Sequence, residues 1–176
     1  MASGINAFLN SLKGGGARPN RFEIVVDFPA FAADQEVIRK TAFLCQSTSL
    51  PGSNLGIMEV GYRGRQLKLA GDRTFDDWET TFYNDTDFAI HDAFEAWHNA
   101  INQYNSNTGL PTPGEYMSTA SVYQLDGNDK RVKEYVLQLA WPTVIGPIEL
   151  AQDSNDAIET FSVTFAYSDI SNGLST

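Results

Sequence analysis

Apolar and polar residues alternate along several short stretches of the chain, with the two-residue period of a half-buried β-strand. The cleanest stretch places Phe161, Val163, Phe165 and Tyr167 on one face and small hydroxyl residues on the other. The same pattern predicts strands over residues 22–28, 57–62, 65–70, 78–82, 116–125 and 132–141. We also expect a strand over Val37–Ser47. Most of this chain is therefore predicted to be β-structure.

Two short polar segments separate neighbouring strands and are typical of hairpin turns. Arg63-Gly64 lies between the stretches 57–62 and 65–70, and Asp126-Gly127-Asn128-Asp129 lies between 116–125 and 132–141. Glycine, asparagine and aspartate tolerate the positive φ angles that tight hairpin turns require. These pairs of strands are expected to be antiparallel.

A single amphipathic helix is predicted to interrupt the strands. Ile90, Phe94, Trp97, Ile101 and Tyr104 recur at gaps of four, three, four and three, the spacing of one helical face. Thr86 or Asp87 is a suitable N-cap for it. The predicted fold class is α+β and mainly antiparallel β, a sandwich or open barrel with one packed helix.

The N-terminal segment has the pattern of an apolar arm on a hinge. Ile5, Phe8, Leu9 and Leu12 lie at helical spacing, and Gly14-Gly15-Gly16 follows them. Such an arm must bury its apolar face on its own domain or on a neighbour. We therefore divide the chain into an arm and hinge (1–16), a β-domain (17–170) and a flexible tail (171–176), with fraying expected from Ser168 onwards.

Composition and charge exclude several classes of protein. Hydrophobic residues make up 42% of the chain and charged residues 19%, which allows a real core and excludes disorder. The net charge is −10 and the twelve Lys and Arg are scattered, so tight nucleic-acid binding is not expected. An acidic surface would instead repel DNA. We expect neither a signal peptide in residues 1–10 nor membrane insertion, and synthesis and residence in the cytoplasm.

The residues that could support chemistry do not form a convincing site. Cys45 is the one cysteine, so no intrachain disulfide forms, and we expect it to be a small buried strand residue. His91, Glu95 and His98 share a helix face and are possible zinc ligands, but a solvated helix face explains them more simply. No phosphate-binding glycine loop and no G-x-S-x-G motif occurs. We expect no catalytic residue, no metal and no cofactor.

The acidic run at residues 71–78 is the most distinctive stretch of the chain. Asp76 and Asp77 would point to opposite faces of an extended segment and could not converge on one metal ion. Asp72 and Arg73 suit a tight turn closed by a local ion pair, and Trp78 would anchor the strand that follows. We interpret this run as structural.

Several motifs along the chain are similar to those of one known family. They are the segments 17–22, 49–52, 70–78, 94–97, 113–116, 139–142, 153–155 and 158–161, of which Ala70–Trp78 (AGDRTFDDW) is the most specific. With these motifs the chain resembles the tail tube protein of contractile-tailed, myovirus-type bacteriophages, nearly from end to end. It departs from that family at residues 29–36, a segment longer than the family usually carries.

The resemblance implies a small β-domain that forms hexameric rings, stacked into a rigid hollow tube inside a contractile sheath. The implied partners are further copies of itself, the tail sheath protein, baseplate and tube-initiator proteins, and a tail terminator or tape measure protein. DNA would pass through the lumen without tight binding. The protein would be part of the virion tail, assembled in the cytoplasm of the host bacterium, and the family implies no catalytic activity.

The arm and the hairpin region are the candidate contacts between subunits. These candidate contact residues are Ile5, Phe8, Leu9, Leu12, Arg63, Arg65, Asp72, Arg73, Asp76 and Asp77. Other functions stay open at this stage. A tube protein of a related contractile injection system (type VI secretion or a tailocin) would share the fold. A small carbohydrate-binding β-domain, or a metal-dependent hydrolase using His91 and His98, is a weaker alternative.

Overall fold

A computed structural model describes residues 3–12 and 16–173 of the chain. The elements in this part of the chain are α1 (Ser3–Ser11), β1 (Phe22–Val26), α2 (Gln35–Leu44), β2 (Cys45–Thr48), β3 (Asn54–Tyr62), β4 (Arg65–Thr74), β5 (Trp78–Tyr83), α3 (Ala89–Ile101), α4 (Pro113–Tyr116), β6 (Ser118–Leu125), β7 (Arg131–Ile145), β8 (Thr160–Ala166) and β9 (Asp169–Gly173). The predicted α+β class, mainly antiparallel β, is confirmed.

Seven of these strands form one antiparallel sheet that bends at β7. The strand order is β1-β6-β7-β8-β5-β2, with β9 also paired to β7. Residues 131–140 of β7 pair with β6 and residues 141–145 pair with β8. Just before the junction, between Leu137 and Ala140, the register shifts and Leu139 has a φ of +55°. A bulge of this kind bends a strand, so β7 belongs to two half-sheets that enclose the core. Over the described residues the strands do not close into a barrel.

The core is aromatic and is covered by α3. Ile90, Ala93, Phe94 and Trp97 of this helix are buried, in agreement with the predicted stripe. The Phe94 ring lies 4.8–6.3 Å, centroid to centroid, from rings contributed by the sheet and by the segment after β1, namely Phe28, Phe82, Phe161 and Phe165. Tilted and edge-on ring pairs of this kind add to the stabilisation from burial. The helix therefore packs on strands β5 and β8 and on the segment that follows β1.

Each of the two buried tryptophans also satisfies its polar N–H group. The Nε1 atom of Trp97 donates to the carbonyl of Tyr116 at 2.7 Å. The Nε1 atom of Trp78 donates to the carbonyl of Ser49 at 2.9 Å, which ties the start of β5 to the segment after β2. Trp78 thus anchors its strand as the sequence predicted.

The strand expected over Val37–Ser47 is wrong for most of its length. Gln35–Leu44 is helical, and only Cys45–Thr48 is a strand. Asp34 is the N-cap of α2, and its carboxylate accepts the backbone N–H groups of Glu36 and Val37. This capping favours the helix, because it satisfies donors that the first helical turn leaves free. The expectation of one packed helix is therefore also wrong.

Helix α3 is shorter than predicted and begins differently. It ends at Ile101, so Tyr104 lies beyond it and is exposed rather than part of the buried stripe. Neither Thr86 nor Asp87 is the N-cap. Phe88 holds that position in a left-handed conformation. Asp87 accepts the N–H of Ala89 but is not the capping residue. The chain reverses after Ile101 because the Leu110 N–H bonds to the carbonyl of Ala100.

The C-terminal end is more ordered than expected. Asp169–Gly173 forms β9, which pairs with residues 134–138 of β7. Fraying from Ser168 is therefore wrong, and residues 171–173 do not belong to a loose tail. Residues 174–176 and the first two hinge glycines, Gly14 and Gly15, lie outside the described residues. The division into arm, β-domain and tail otherwise stays a prediction.

A close approach at Gly109 provides a test of the packing around α3. A Cβ atom at Gly109 would lie 1.9 Å from the Ile101 carbonyl oxygen. We expect Gly109→Ala to lower the free energy of unfolding by about 1–3 kcal/mol, since the backbone must move. The measurement is urea unfolding followed by tryptophan fluorescence.

Gly114 provides the matched control for this substitution. A Cβ atom at Gly114 would meet no atom within 4 Å, and the residue lies in α4. Gly114→Ala should therefore be neutral or slightly stabilising. Equal unfolding midpoints for the two variants would contradict the close packing at Gly109.

Candidate functional site

Strands β3 and β4 form a hairpin that stands apart from the core. They pair with each other and make up a separate two-stranded sheet. Along both strands every residue is exposed except Gly71, which is half-buried. An isolated two-stranded hairpin is at best marginally stable in water. This one is long and carries large apolar side chains, so it is the strongest candidate for a functional surface.

One face of the hairpin is almost entirely apolar. Val60 pairs with Leu67 and Met58 pairs with Leu69, and Tyr62 lies next to them beside the turn. We call these five residues, Met58, Val60, Tyr62, Leu67 and Leu69, the hairpin face; all of them are exposed. Contiguous apolar surface of this kind marks an interaction site in a well-folded protein.

The opposite face of the hairpin has a different character. Glu59 and Lys68 pair across the strands and form an ion pair with an N–O distance of 3.8 Å. Gly61 and Gln66 lie beside them on this side. Ile57, which is exposed, and Ala70 also pair on this side nearer the base, so this side is mixed in character and the hairpin face is the more apolar side of the ribbon.

The predicted turn at Arg63-Gly64 is confirmed. Both residues have positive φ angles, +47° for Arg63 and +79° for Gly64, as tight hairpin turns require. The guanidinium of Arg63 lies 5.2 Å from the centroid of the Tyr62 ring. Arg65 starts β4 and is paired with Tyr62. Two cations thus lie at the end of the hairpin.

The acidic run lies at the base of the hairpin and differs from its predicted conformation. Asp72 and Arg73 are strand residues of β4, so the tight turn expected there is wrong. The Arg73 guanidinium donates instead to the hydroxyl of Ser53, at 3.3 Å. The Asn54 side chain donates to the Asp76 carboxylate at 2.9 Å. Asp76 and Asp77 are both exposed, in the link between β4 and β5. These contacts tie the two ends of the hairpin to each other at its base.

Helix α1 is the second exposed apolar element. Ile5, Phe8 and Leu9 lie in the helix, and Leu12 follows its end. All four side chains, here called the arm stripe, are exposed to solvent. Within the described residues the structure thus does not bring the arm residues together with the hairpin residues, although both groups were predicted from the sequence as contacts between subunits.

The possible metal ligands on α3 group differently from the sequence expectation. Ligand atoms of His91, Asp92 and Glu95 lie within 4.8 Å of one another, whereas His98 is not part of this group. The His91 ring packs edge-on against Phe161, with centroids 5.1 Å apart. Asp92 and Glu95 are exposed carboxylates on the helix surface. This packing explains His91 as a partly buried ring at the border of the core.

Comparison with known proteins identifies the family. The family model of the phage tail tube protein matches residues 17–171. This chain belongs to that family. It is 37% identical to the tail tube protein gp19 of Enterobacteria phage T4 over 152 residues, which cover 85% of this chain and 88% of the relative. It is 32% identical to the tail tube protein of Serratia phage KSP90 over 165 residues, which cover 93% of each.

Solved structures share the fold of this tail tube family member at low sequence identity. A chain of the anti-feeding prophage baseplate aligns with a TM-score of 0.62 and 13% identity, covering 90% of this chain and 95% of the other. A chain of the sheath–tube complex of an extracellular contractile injection system aligns with a TM-score of 0.52 and 14% identity, covering 90% and 91%. These likenesses support the antiparallel fold. In the described part of the chain, no helix has the length and apolarity to cross a membrane.

Sequence reasoning selected the charged residues of the hairpin region and missed its apolar ones. The hairpin face residues are Met58, Val60, Tyr62, Leu67 and Leu69. Their signal was present, since they alternate with polar or small residues on both sides of the predicted turn. Alternation shows that one face is apolar. It does not show whether the same chain covers that face, and here the chain does not.

Cys45 lies in a strand as predicted, but it is only partly buried. Burial raises the pKa of its thiol, and the hydrogen bond to the Thr80 hydroxyl, with an S–O distance of 3.3 Å, only partly opposes this. Because the thiolate is the reactive form, we expect alkylation by iodoacetamide at pH 8 to be several-fold slower in the folded protein than in urea. The rate should rise with pH. Equal rates in the folded and unfolded chain would contradict the role of burial.

Proposed function

We propose that this protein is the structural subunit of the inner tail tube of a contractile bacteriophage, and that it assembles into stacked hexameric rings. The observation that carries the proposal is the match to the tail tube family over residues 17–171. Relatives named as tail tube proteins of T4 and T6, each 37% identical over 85% of the chain, support it.

The exposed surfaces of the single chain support assembly from identical copies. The five residues of the hairpin face, Met58, Val60, Tyr62, Leu67 and Leu69, are left uncovered by the described chain. Strands β1 and β2 lie at the two ends of the strand order, so each offers an edge to a further strand. Contacts between different surfaces of identical subunits close into rings or continue as stacks. We propose that the arm and hairpin residues predicted from the sequence as contacts between subunits take part in these interfaces.

The proposed partners follow from the family and from the named complexes of its structural relatives. Those complexes include a baseplate, a tube-terminating cap and a sheath–tube assembly. For this chain we propose contacts with further copies of itself, the tail sheath protein, baseplate and tube-initiator proteins, and a tail terminator or tape measure protein. Its place is the virion tail, after assembly in the host cytoplasm.

The charge of the chain suits a channel for DNA. Each copy carries a net charge of −10, so negative charge accumulates with every subunit added to a ring. Acidic residues that face the lumen would keep the phosphate backbone from binding to the wall. We propose that DNA passes through without tight binding and that the protein has no catalytic activity.

A tube protein of a related contractile injection system is the second candidate. Chains of the anti-feeding prophage and of an extracellular contractile injection system share the fold, with TM-scores of 0.52–0.62. Identities of 13–14% to those chains, against 32–37% to phage tail tube proteins, favour the phage tail. Type VI secretion and tailocin tubes belong to the same alternative.

Electron microscopy of the purified protein, alone and mixed with tail baseplates, tests the proposal. We expect hollow tubes with six-fold symmetry, at least on baseplates. Leu67→Glu should strongly reduce the number and length of tubes, because it places a charge on the hairpin face. The thermal midpoint of the monomer should hardly change, since Leu67 is exposed.

Gln66→Glu is the matched control for Leu67→Glu. It adds the same side chain one residue earlier, on the polar side of the ribbon beside Gly61. Tubes should form with Gln66→Glu in near-normal number. Normal tubes from Leu67→Glu would remove the hairpin face from the assembly, and a monomer that never forms or joins a tube would contradict the proposed function.

Deletion of residues 1–13 tests the arm. The arm stripe contributes nothing to the described core, so the truncated domain should keep its thermal midpoint. Tube growth should be impaired, because the exposed apolar side chains of Ile5, Phe8 and Leu9, which we propose to contact a neighbouring subunit, are removed. Tubes of unchanged number and length would show that the arm has no part in assembly.

A further inference from the structure

Two extended apolar surfaces remain uncovered in the described chain, the arm stripe and the hairpin face. We propose that they cover each other between subunits: helix α1 of one copy packs on the β3–β4 hairpin face of a second copy. The proposal rests on the proposed tube function, and it names the partner surface for both elements.

In the single chain the arm stripe and the hairpin face do not cover each other. Ile5 is 71% exposed and Phe8 62% exposed, although the hairpin face is part of the same molecule. No residue of α1, and none of the hairpin face, belongs to the described core or packs against it. Burying either surface therefore calls for a second molecule, and further copies of the same chain surround each subunit of a tube.

The two surfaces match in length and width. The arm stripe runs about 10 Å from Ile5 to Leu12, at a rise of about 1.5 Å per helical residue. The hairpin face runs about 13 Å from Met58 to Tyr62, at about 3.4 Å per strand residue. Two strands paired about 5 Å apart make a ribbon about as wide as one helix, whose diameter with side chains is about 10–12 Å. One α1 helix thus covers one hairpin face.

Charge sets the direction of the helix. No charged residue occurs in Ser3–Ser11, and the charge nearest to the arm stripe is that of Lys13, which follows Leu12. On the hairpin, Arg63 and Arg65 both lie at the turn end. The C-terminal end of a helix carries partial negative charge on its free carbonyl groups. This partial charge favours an orientation with the C-terminal end of α1 towards the turn, Leu9 near Leu67 and Ile5 near Leu69. In that orientation Lys13 must point away from the two arginines.

The hinge allows the arm to leave its own domain. Three consecutive glycines, residues 14–16, link α1 to the β-domain, and Gly16 has a φ of +85°. Glycine adopts such an angle without steric cost, so the backbone at Gly16 is compatible with an arm that packs on another subunit. The contact joins two different surfaces of identical chains, so it can repeat from subunit to subunit.

Disulfide trapping in assembled tubes tests the pairing. All chains carry Cys45→Ser, and one set carries Leu9→Cys while a second, mass-tagged set carries Leu67→Cys. The two sets are mixed, assembled with or without baseplates, and treated with a mild oxidant. We expect a disulfide-linked dimer with one chain of each set, because the pairing brings these two positions into contact.

Gln66→Cys replaces Leu67→Cys in the control. It lies on the other side of the ribbon, and a disulfide needs Cα atoms within about 7 Å and Cβ atoms that face each other, so we expect at least about fivefold less mixed dimer. The pair Ile5→Cys with Leu69→Cys provides a second, independent trap at the far end of the contact. Swapped pairing, with Ile5→Cys linking to Leu67→Cys more than to Leu69→Cys, would overturn the proposed direction.

The outcomes separate this pairing from the proposed function. Tubes that form and give no mixed dimer with either cysteine pair would overturn the pairing and leave the tube function intact. Chains carrying both Leu9→Cys and Leu67→Cys that form only intrachain disulfides would show that the arm folds onto its own hairpin. Failure of the unsubstituted chain to assemble would instead overturn the tube function, and the pairing with it.

Discussion

A two-stranded ribbon has no layer above or below it, so large apolar side chains on its faces stay in water unless another element covers them. The β3–β4 hairpin carries Met58, Val60, Tyr62, Leu67 and Leu69 on one face, and within the described residues none of them is buried. This constraint governs the rest of the molecule. In the proposed assembly, another chain covers this exposed apolar face.

The β-domain can leave the hairpin uncovered because its own core is self-sufficient. Phe94 and Trp97 of α3 pack against the Phe165 ring of β8, and Trp78 fixes the start of β5 beside the hairpin base. The hydrogen bonds from Asn54 to Asp76 and from Arg73 to Ser53 hold the base in place. None of the hairpin face residues takes part in this core, so the folding of the body does not need that surface.

Local pattern predicted the elements whose burial follows a strict period. Strands around Phe161 and Trp78, helix α3 and the turn at Arg63-Gly64 are present as expected. The prediction was wrong where the pattern of apolar residues does not determine the secondary structure, because a capping residue or a distant strand does. Residues 37–44 are apolar enough for a strand, but the Asp34 cap selects a helix. Strand β9 is polar, and its pairing with β7 has no local signal. The hairpin face was visible as a pattern, but its exposure depends on where the rest of the chain packs.

The distribution of charge explains how a strongly acidic chain can polymerise. Copies with a net charge of −10 repel one another, although salt at physiological concentration screens that repulsion beyond about 8 Å. Helix α1 has no charged residue, and the hairpin face is flanked by cations at the turn rather than by acids. In the proposed contact, repulsion between subunits would act mainly across the bodies of the domains, while the short-range apolar contacts would form where charge is sparse. This separation allows negative charge to collect on the remaining surfaces, including any that line a channel for DNA, without weakening the contacts that hold the polymer together.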